Sequence, residues 1–171
     1  MRPALVVVSG PPGAGKTTLA HRLAREIGCP AICRDEIKEG MVHAAGGTFT
    51  AAPGDELTRR TLPAFFQVLE LLLTAGVTTV AEAAFQHHVW HPHLRPLRAI
   101  ADLRVLQCHV TAETARTRIH HRPRRAHADA HAITPDAFER LHLGVPELNV
   151  DTTDGYRPGL DEIVAFLDTG R

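Results

Sequence analysis

Gly10-Pro11-Pro12-Gly13-Ala14-Gly15-Lys16-Thr17 follows the pattern G-x-x-x-x-G-K-[ST], a spacing suited to holding a polyphosphate. Glycines let successive backbone N–H groups turn toward one centre, where the N-terminus of a following helix adds its positive end. Lys16 would then reach the terminal phosphates, and the Thr17 hydroxyl would hold Mg2+. Lysine is scarce in this chain, which has only Lys16 and Lys38, so a lysine at the required position carries weight. Gly10, Gly13, Ala14, Gly15, Lys16, Thr17 and Thr18 form the expected nucleotide-contacting set. The competing reading is a Gly/Pro turn that merely joins a strand to a helix.

A phosphate loop does not say whether the terminal phosphoryl group goes to water or to an acceptor, and a second group of residues addresses that question. Asp35 follows the apolar stretch Ala31-Ile32-Cys33, at the carboxyl end of a predicted strand, the edge where open α/β sheets place their ligands. A carboxylate there would accept the proton of an acceptor hydroxyl as its oxygen attacks phosphorus. It would equally serve as the cap of a helix beginning at Glu36. Arg34 pairs either with the acceptor or with Glu36. Glu82 ends the predicted strand Val77–Glu82 and would emerge on the same edge, to bind Mg2+ through water or to hold the acceptor; a structural ion pair is the alternative. Gln86 and the histidines after it, His87 and His88, would line the rim as substrate contacts.

Arginines cluster later, at 116, 118, 122, 124 and 125. Arg122 and Arg125 are placed on the transferred phosphoryl group as catalytic residues, because guanidinium groups neutralise the charge that spreads over its oxygens. Arg118 is placed with the nucleotide-binding residues, and one of Arg116 and Arg118 is expected to be solvated surface. The segment from Arg122 to Thr134 reads as an Arg-rich lid. Twelve histidines include the i,i+4 pairs His87/His91 and His127/His131, but no H-E-x-x-H and no zinc-like Cys/His spacing occurs, so no transition-metal site is expected.

The elements that must position these residues alternate. Apolar strands are predicted at 4–8, 31–34, 77–82, 103–110 and 148–151, separated by helical patterns at 16–27, 36–43, 55–75, 90–100, 112–121, 135–143 and 160–167. Such alternation signals an α/β fold, here a five-stranded mostly parallel sheet with helices on both faces. Its length of 171 residues suits one domain over 1–171. Gly28 and Gly76 are placed to end the first and third helices. Ala45 to Gly54 reads as a loop, and Phe65 and Phe66 as core.

Nineteen basic and nineteen acidic residues cancel, so no overall field draws the molecule onto nucleic acid or a membrane. The first strand is too short to span a bilayer and runs directly into the phosphate loop, which predicts a cytoplasmic protein without membrane partners. Cys29, Cys33 and Cys108 are odd in number and read as reduced, packed thiols; a redox pairing of Cys29 with Cys33 is the alternative.

With the loop, Arg34-Asp35, the third-strand carboxylate and the Arg-rich segment in view, the chain resembles the small P-loop kinases of the zeta-toxin, polynucleotide-kinase-like and chloramphenicol-phosphotransferase group. The resemblance implies a P-loop NTPase fold. Arg34-Asp35-Glu36-Ile37-Lys38 is similar to the element that supplies the general base in polynucleotide kinases, which implies that role for Asp35. Asp151-Thr152-Thr153-Asp154-Gly155-Tyr156 looks like the segment bordering the adenine, implying that Asp154 and Tyr156 contact the nucleotide; an ordinary Asp/Gly turn is the alternative. The third strand ends Ala-Glu-Ala-Ala-Phe, unlike the Asp-Thr-Asn type of ending in polynucleotide kinases. The expected activity is therefore transfer of the γ-phosphoryl group of ATP, or another nucleoside triphosphate, with Mg2+, to a hydroxyl of a nucleoside, sugar or antibiotic. A 5′-hydroxyl polynucleotide kinase and a nucleotide-dependent switch are the alternatives.

Overall fold

The computed structural model describes residues 2–46, 49, 50, 52, 54–121 and 138–168. All of Ala4–Ser9 (β1) is buried, as its unbroken β-branched run requires of a strand covered on both faces. Thr79–Glu82 (β3) and Asp102–His109 (β4) flank it, Ala31–Cys33 (β2) lies outside β3, and Glu147–Asp151 (β5) outside β4. Every pairing is parallel, giving a five-stranded sheet of order β2-β3-β1-β4-β5.

Alternation along β1 divides the core. Leu5 and Val7 face a cluster with Phe65, Leu69 and Leu73 of Glu56–Thr74 (α3) and Trp90 and Leu94 of His87–Leu94 (α4). Val6 and Val8 face Leu19 and Leu23 of Lys16–Ile27 (α1), together with Ile163 and Leu167 of Leu160–Asp168 (α6). Between these, Arg34–Ala45 (α2) follows β2, and Ala112–His120 (α5) follows β4. Gly28 ends α1 in a left-handed conformation, its N–H bonded to the Ala24 carbonyl. Phe65 is fully buried, while Phe66 packs partly buried against the same cluster.

Three expectations are corrected. Helix α2 begins at Arg34 with Cys33 as its N-cap, so Asp35 sits inside the first turn and is not a cap residue; its charge still suits the helix's positive end. Helix α4 starts at His87 rather than Trp90, and a short 3-10 helix, Arg95–Ala99, continues it with Pro96 near its start, where a missing N–H is tolerated. Residues 138–143 form no helix. Leu141 and Leu143 are buried there and the Gln107 side-chain amide donates to the Leu141 carbonyl, an i,i+2 apolar pattern that an extended segment satisfies and a helix does not. The expected lid at 122–134 lies outside the described residues.

Sheet order positions the site. From β1 the chain crosses to β2 and returns through β3, and the connection from β3 then passes to β4 on the other side of β1. The crossovers diverge beside β1, and ligands bind outside the carboxyl ends of strands at such a switch point.

Candidate active site

The loop Gly10–Gly15 leaves the carboxyl end of β1 and enters α1, whose N-cap is Gly15 with no side-chain cap bond and no acidic residue in its first turn. The first N–H groups of α1 therefore have no capping side chain and no acidic residue of their own turn competing for them, the condition under which a helix N-terminus attracts an anion. Gly13 has φ +82°, and a Cβ on it would lie 2.8 Å from the Ala115 carbonyl oxygen of α5. Only glycine lets the loop run this close to α5. Lys16 is buried, with Nζ donating to the Pro11 carbonyl across the loop at 2.9 Å.

Parallel register brings the acidic residues to this loop. Val8 of β1 and Cys33 of β2 are both level with Glu82 of β3, and strands lie about 4.8 Å apart. Thr17 Oγ1 consequently donates to Glu82 Oε2 at 3.0 Å although 65 residues separate them. Glu82 is 4% exposed. Burial raises its pKa, the Lys16 ammonium pulls it down and the Asp35 carboxylate pushes it up. Lys16, Thr17, Glu82 and Asp35 therefore form one electrostatic unit. A buried carboxylate beside a hydroxyl, with another acid nearby, has the donor chemistry of a Mg2+ site, where oxygen ligands and retained waters suffice.

Asp35 differs from Glu82 in being accessible, with its side chain half exposed, and it accepts from Arg34 Nη1 at 3.0 Å. The expected alternative pairing of Arg34 with Glu36 is corrected: Glu36 instead meets His21 Nε2 at 2.8 Å. Gln86 is the N-cap of α4 and partly buried. Of the histidines after it, His88 contacts the Glu139 carboxylate and His87 Nδ1 accepts the His142 N–H at 3.2 Å. Both thus bind segment 138–143.

On the other side of the loop lies an open cleft of about 510 Å³, lined by Gly15, Thr18, Arg22, Arg118, His121, Thr152, Gly155 and Tyr156. Its outer wall is a small loop after β5, closed by reciprocal backbone bonds between Asp151 and Arg157 of 2.8 and 2.9 Å. Thr152 fastens this wall to the phosphate loop, its Oγ1 within 2.9 Å of the Ala14 carbonyl and 3.0 Å of the His109 carbonyl. Arg118 spans the cleft, with Nη2 donating to the Thr152 and Thr153 carbonyls at 2.6 and 3.1 Å and Nη1 to Gly13 at 3.4 Å. Arg22 stands over the Tyr156 ring at 5.6 Å from its centroid, an attractive cation–π arrangement.

The structure thus brings together Lys16, Thr17, Glu82 and Asp35, with Gly10, Gly13, Ala14 and Gly15 in the adjoining loop and Thr18, Arg118 and Tyr156 in the cleft. Asp154 is exposed on the same small loop and is not among the lining residues. Arg116 is the exposed member of its pair. Arg122 and Arg125 lie outside the described residues. Sequence reasoning missed Arg22 and Thr152. Arg22 had a signal, being one helical turn after Thr18 on α1; Thr152 lay in the segment 151–156 that resembles an adenine border, but nothing local announced its bond to Ala14, 138 residues away.

All three cysteines are free. Burial, with Glu82 and Glu36 nearby, raises the Cys33 thiol far above its ordinary range, and burial pushes Cys108 up to about 12. Cys33 has acids for neighbours and at Cys108 burial outweighs the Lys16 ammonium, so neither thiol has the lowered pKa of a reactive thiolate. No helix among the described residues is long and apolar enough to cross a membrane.

No curated protein sequence matches the chain. Among solved structures it is similar to a candidate kinase of Chloroflexus aurantiacus J-10-fl at 23% identity, covering 97% of this chain and 96% of that one with a TM-score of 0.76. A sugar kinase of Janibacter sp. HTCC2649 is 22% identical over 98% of this chain and 96% of that one, with a TM-score of 0.70. The APS kinase CysC of Mycobacterium tuberculosis, solved with AMPPNP and APS, is 16% identical over 98% and 99%, with a TM-score of 0.68. At these identities what is shared is the fold, a P-loop NTPase α/β sheet. The profile of the AAA domain family, AAA_33, matches residues 5–142, most of the chain, and the protein belongs to that family.

Proposed function

We propose that the chain is a single-domain kinase that transfers the γ-phosphoryl group of ATP to a hydroxyl of a small molecule, with Mg2+. The observation that carries this reading is the pairing of two unlike carboxylates at one sheet edge. Glu82 is buried against Thr17, while Asp35 is half exposed in the first turn of α2, just past the end of the neighbouring strand. Different environments suit them to different tasks: the buried acid to a cation, the accessible one to a proton in transit.

In this reading Gly13, Ala14, Gly15 and the start of α1 hold the phosphates by backbone N–H groups, and Lys16 leaves the Pro11 carbonyl to reach the terminal phosphates. Thr18, Arg118 and Tyr156 border the rest of the nucleotide. Thr17 and Glu82 hold Mg2+, which supplies charge neutralisation on the phosphate oxygens when bound. Asp35, held by Arg34, takes the acceptor's proton as the acceptor oxygen bonds to the γ-phosphorus and the bond to the bridging oxygen breaks, releasing ADP. Arg34 and Gln86 contact the acceptor, and Arg122 and Arg125 neutralise the transferring group. Sugar and APS kinases among the structural relatives support phosphoryl transfer to a small alcohol.

The test is radiolabelled γ-phosphoryl transfer against a panel of nucleosides, sugars, aminoglycosides and short oligonucleotides. Asp35→Asn is expected to keep nucleotide affinity and to lower transfer by about a hundredfold or more. Transfer by that variant at the wild-type rate would remove Asp35 as the base. Labelling of oligonucleotides alone would move the acceptor class to nucleic acid, and hydrolysis without any acceptor would favour a nucleotide switch.

A further inference from the structure

Outside the phosphate cleft, three chemically different ligands converge: the imidazole of His21 on α1, the thiol of Cys33 at the end of β2, and the carboxylate of Glu36 in the first turn of α2. His21 Nε2 is 2.8 Å from Glu36 Oε1 and 3.8 Å from Cys33 Sγ, and all three donor atoms lie within 4.8 Å of one another. A tetrahedral zinc, with bonds of about 2.3 Å to sulfur and about 2.0 Å to nitrogen and oxygen, spaces its ligands by about 3.3 to 3.6 Å. The observed separations of 2.8 and 3.8 Å bracket that spacing. Cys33 is buried, whereas the side chains of His21 and Glu36 are 45% and 46% exposed. The triangle therefore has a protein wall behind the sulfur and an open side toward solvent, leaving room for a fourth, water ligand.

The spacing hides this site in the sequence. His21 and Cys33 are 12 residues apart on different elements, and Glu36 is three residues further on, unlike the paired-cysteine spacings that mark structural zinc. Mixed sulfur, nitrogen and oxygen donors select a borderline-soft cation such as zinc and disfavour Mg2+, which takes oxygen.

We propose that His21, Cys33 and Glu36 form a second metal site, specific for a thiophilic divalent cation of the zinc type, that clips the first turn of α2 to α1. On binding, the Cys33 S–H proton leaves to solvent as the sulfur–metal bond forms, His21 donates its Nε2 lone pair with its proton kept on Nδ1, and Glu36 exchanges its contact with His21 for the metal. Arg34 and Asp35 lie between two of the ligands in the chain, so occupancy holds the segment that carries Asp35.

Cobalt titration of the untagged 171-residue chain in a thiol-free reductant tests this without nucleotide, and so independently of the kinase reading. A thiolate-to-cobalt charge-transfer band should saturate at one equivalent per chain, vanish on adding zinc and persist in excess Mg2+. Cys33→Ser should abolish the band and Cys29→Ser should leave it. His21→Ala, at an exposed position that the fold tolerates, should weaken cobalt binding by about tenfold or more. No band in the wild-type protein, or a band that survives Cys33→Ser, would overturn the proposal.

Discussion

Lys38 is a fully buried lysine on α2, and replacing it with methionine tests how that helix is held. Its Nζ donates to Asp55 Oδ2 at 3.0 Å and to Thr58 Oγ1 at 2.7 Å. The partner is buried too: the Asp55 side chain is 7% exposed, and it also caps α3 by accepting the Thr58 N–H at 2.6 Å. One ion pair thus joins the helix bearing Asp35 to the start of α3. Methionine keeps the length and much of the volume but leaves the Asp55 charge buried without its ammonium, a change that costs about 3 to 5 kcal/mol. For a chain of this length that lowers Tm by about 6 to 20 °C.

Acid sharpens the test. Burial alone would raise the Asp55 pKa, but the Thr58 N–H, the Lys38 ammonium and the Thr58 hydroxyl outweigh it and lower it from 3.8 to about 2. A carboxyl depressed in the folded state contributes stability that is present above about pH 4 and is lost as pH falls toward about 2. Urea denaturation followed by circular dichroism should therefore show a wild-type advantage over Lys38→Met that is large at pH 7 and shrinks between pH 4 and 2. Adding Asp55→Asn to the Lys38→Met protein should recover part of the loss, since the orphaned charge is then gone. A difference below about 1 kcal/mol at pH 7, the level of an exposed pair, would refute the argument.

Two further variants probe the nucleotide side. Gly13→Ala places a methyl 2.8 Å from the Ala115 carbonyl oxygen at φ +82°; a fluorescent ATP analogue should bind about 5- to 150-fold more weakly, as expected for a strained loop costing about 1 to 3 kcal/mol, and unchanged affinity would dismiss the close-approach argument. Arg118→Met removes the guanidinium that bonds the Thr152 and Thr153 carbonyls. At about 1.5 to 3 kcal/mol for a charged hydrogen-bonding group, calorimetry should show ATP affinity falling about 10- to 100-fold, and a wild-type Kd would show that Arg118 does not shape the cleft.

Much of the fold was legible because its signals are local. The β-branched run of β1, the glycine pattern of the loop, the 3-4 spacing of α1 with Gly28 behind it, and the leucine and phenylalanine stripe of α3 each act within a few turns of chain. Asp35 and Glu82 were legible as strand-end acids for the same reason. Local signals failed where packing decided. The run 135–143 reads as helical, yet Leu141 and Leu143 are buried in an extended segment that bonds Gln107 of β4. Helix α2 starts at Arg34 because β2 stops at Cys33, where pairing with β3 ends level with Glu82.

By itself, then, the sequence determined that this chain has a phosphate loop between a buried strand and a helix, and acids at the ends of two later strands. Which acid is buried against Thr17 and which faces solvent was decided by the strand order β2-β3-β1-β4-β5, which sets β3 inside the sheet beside β1 and β2 at the edge. The same assembly joined Thr152 to Ala14 and gathered His21, Cys33 and Glu36. Such contacts link residues from distant or separately folded segments, and no periodicity or propensity encodes them. They appear only when the two faces of the sheet are covered and the elements are brought together by burial of their apolar sides.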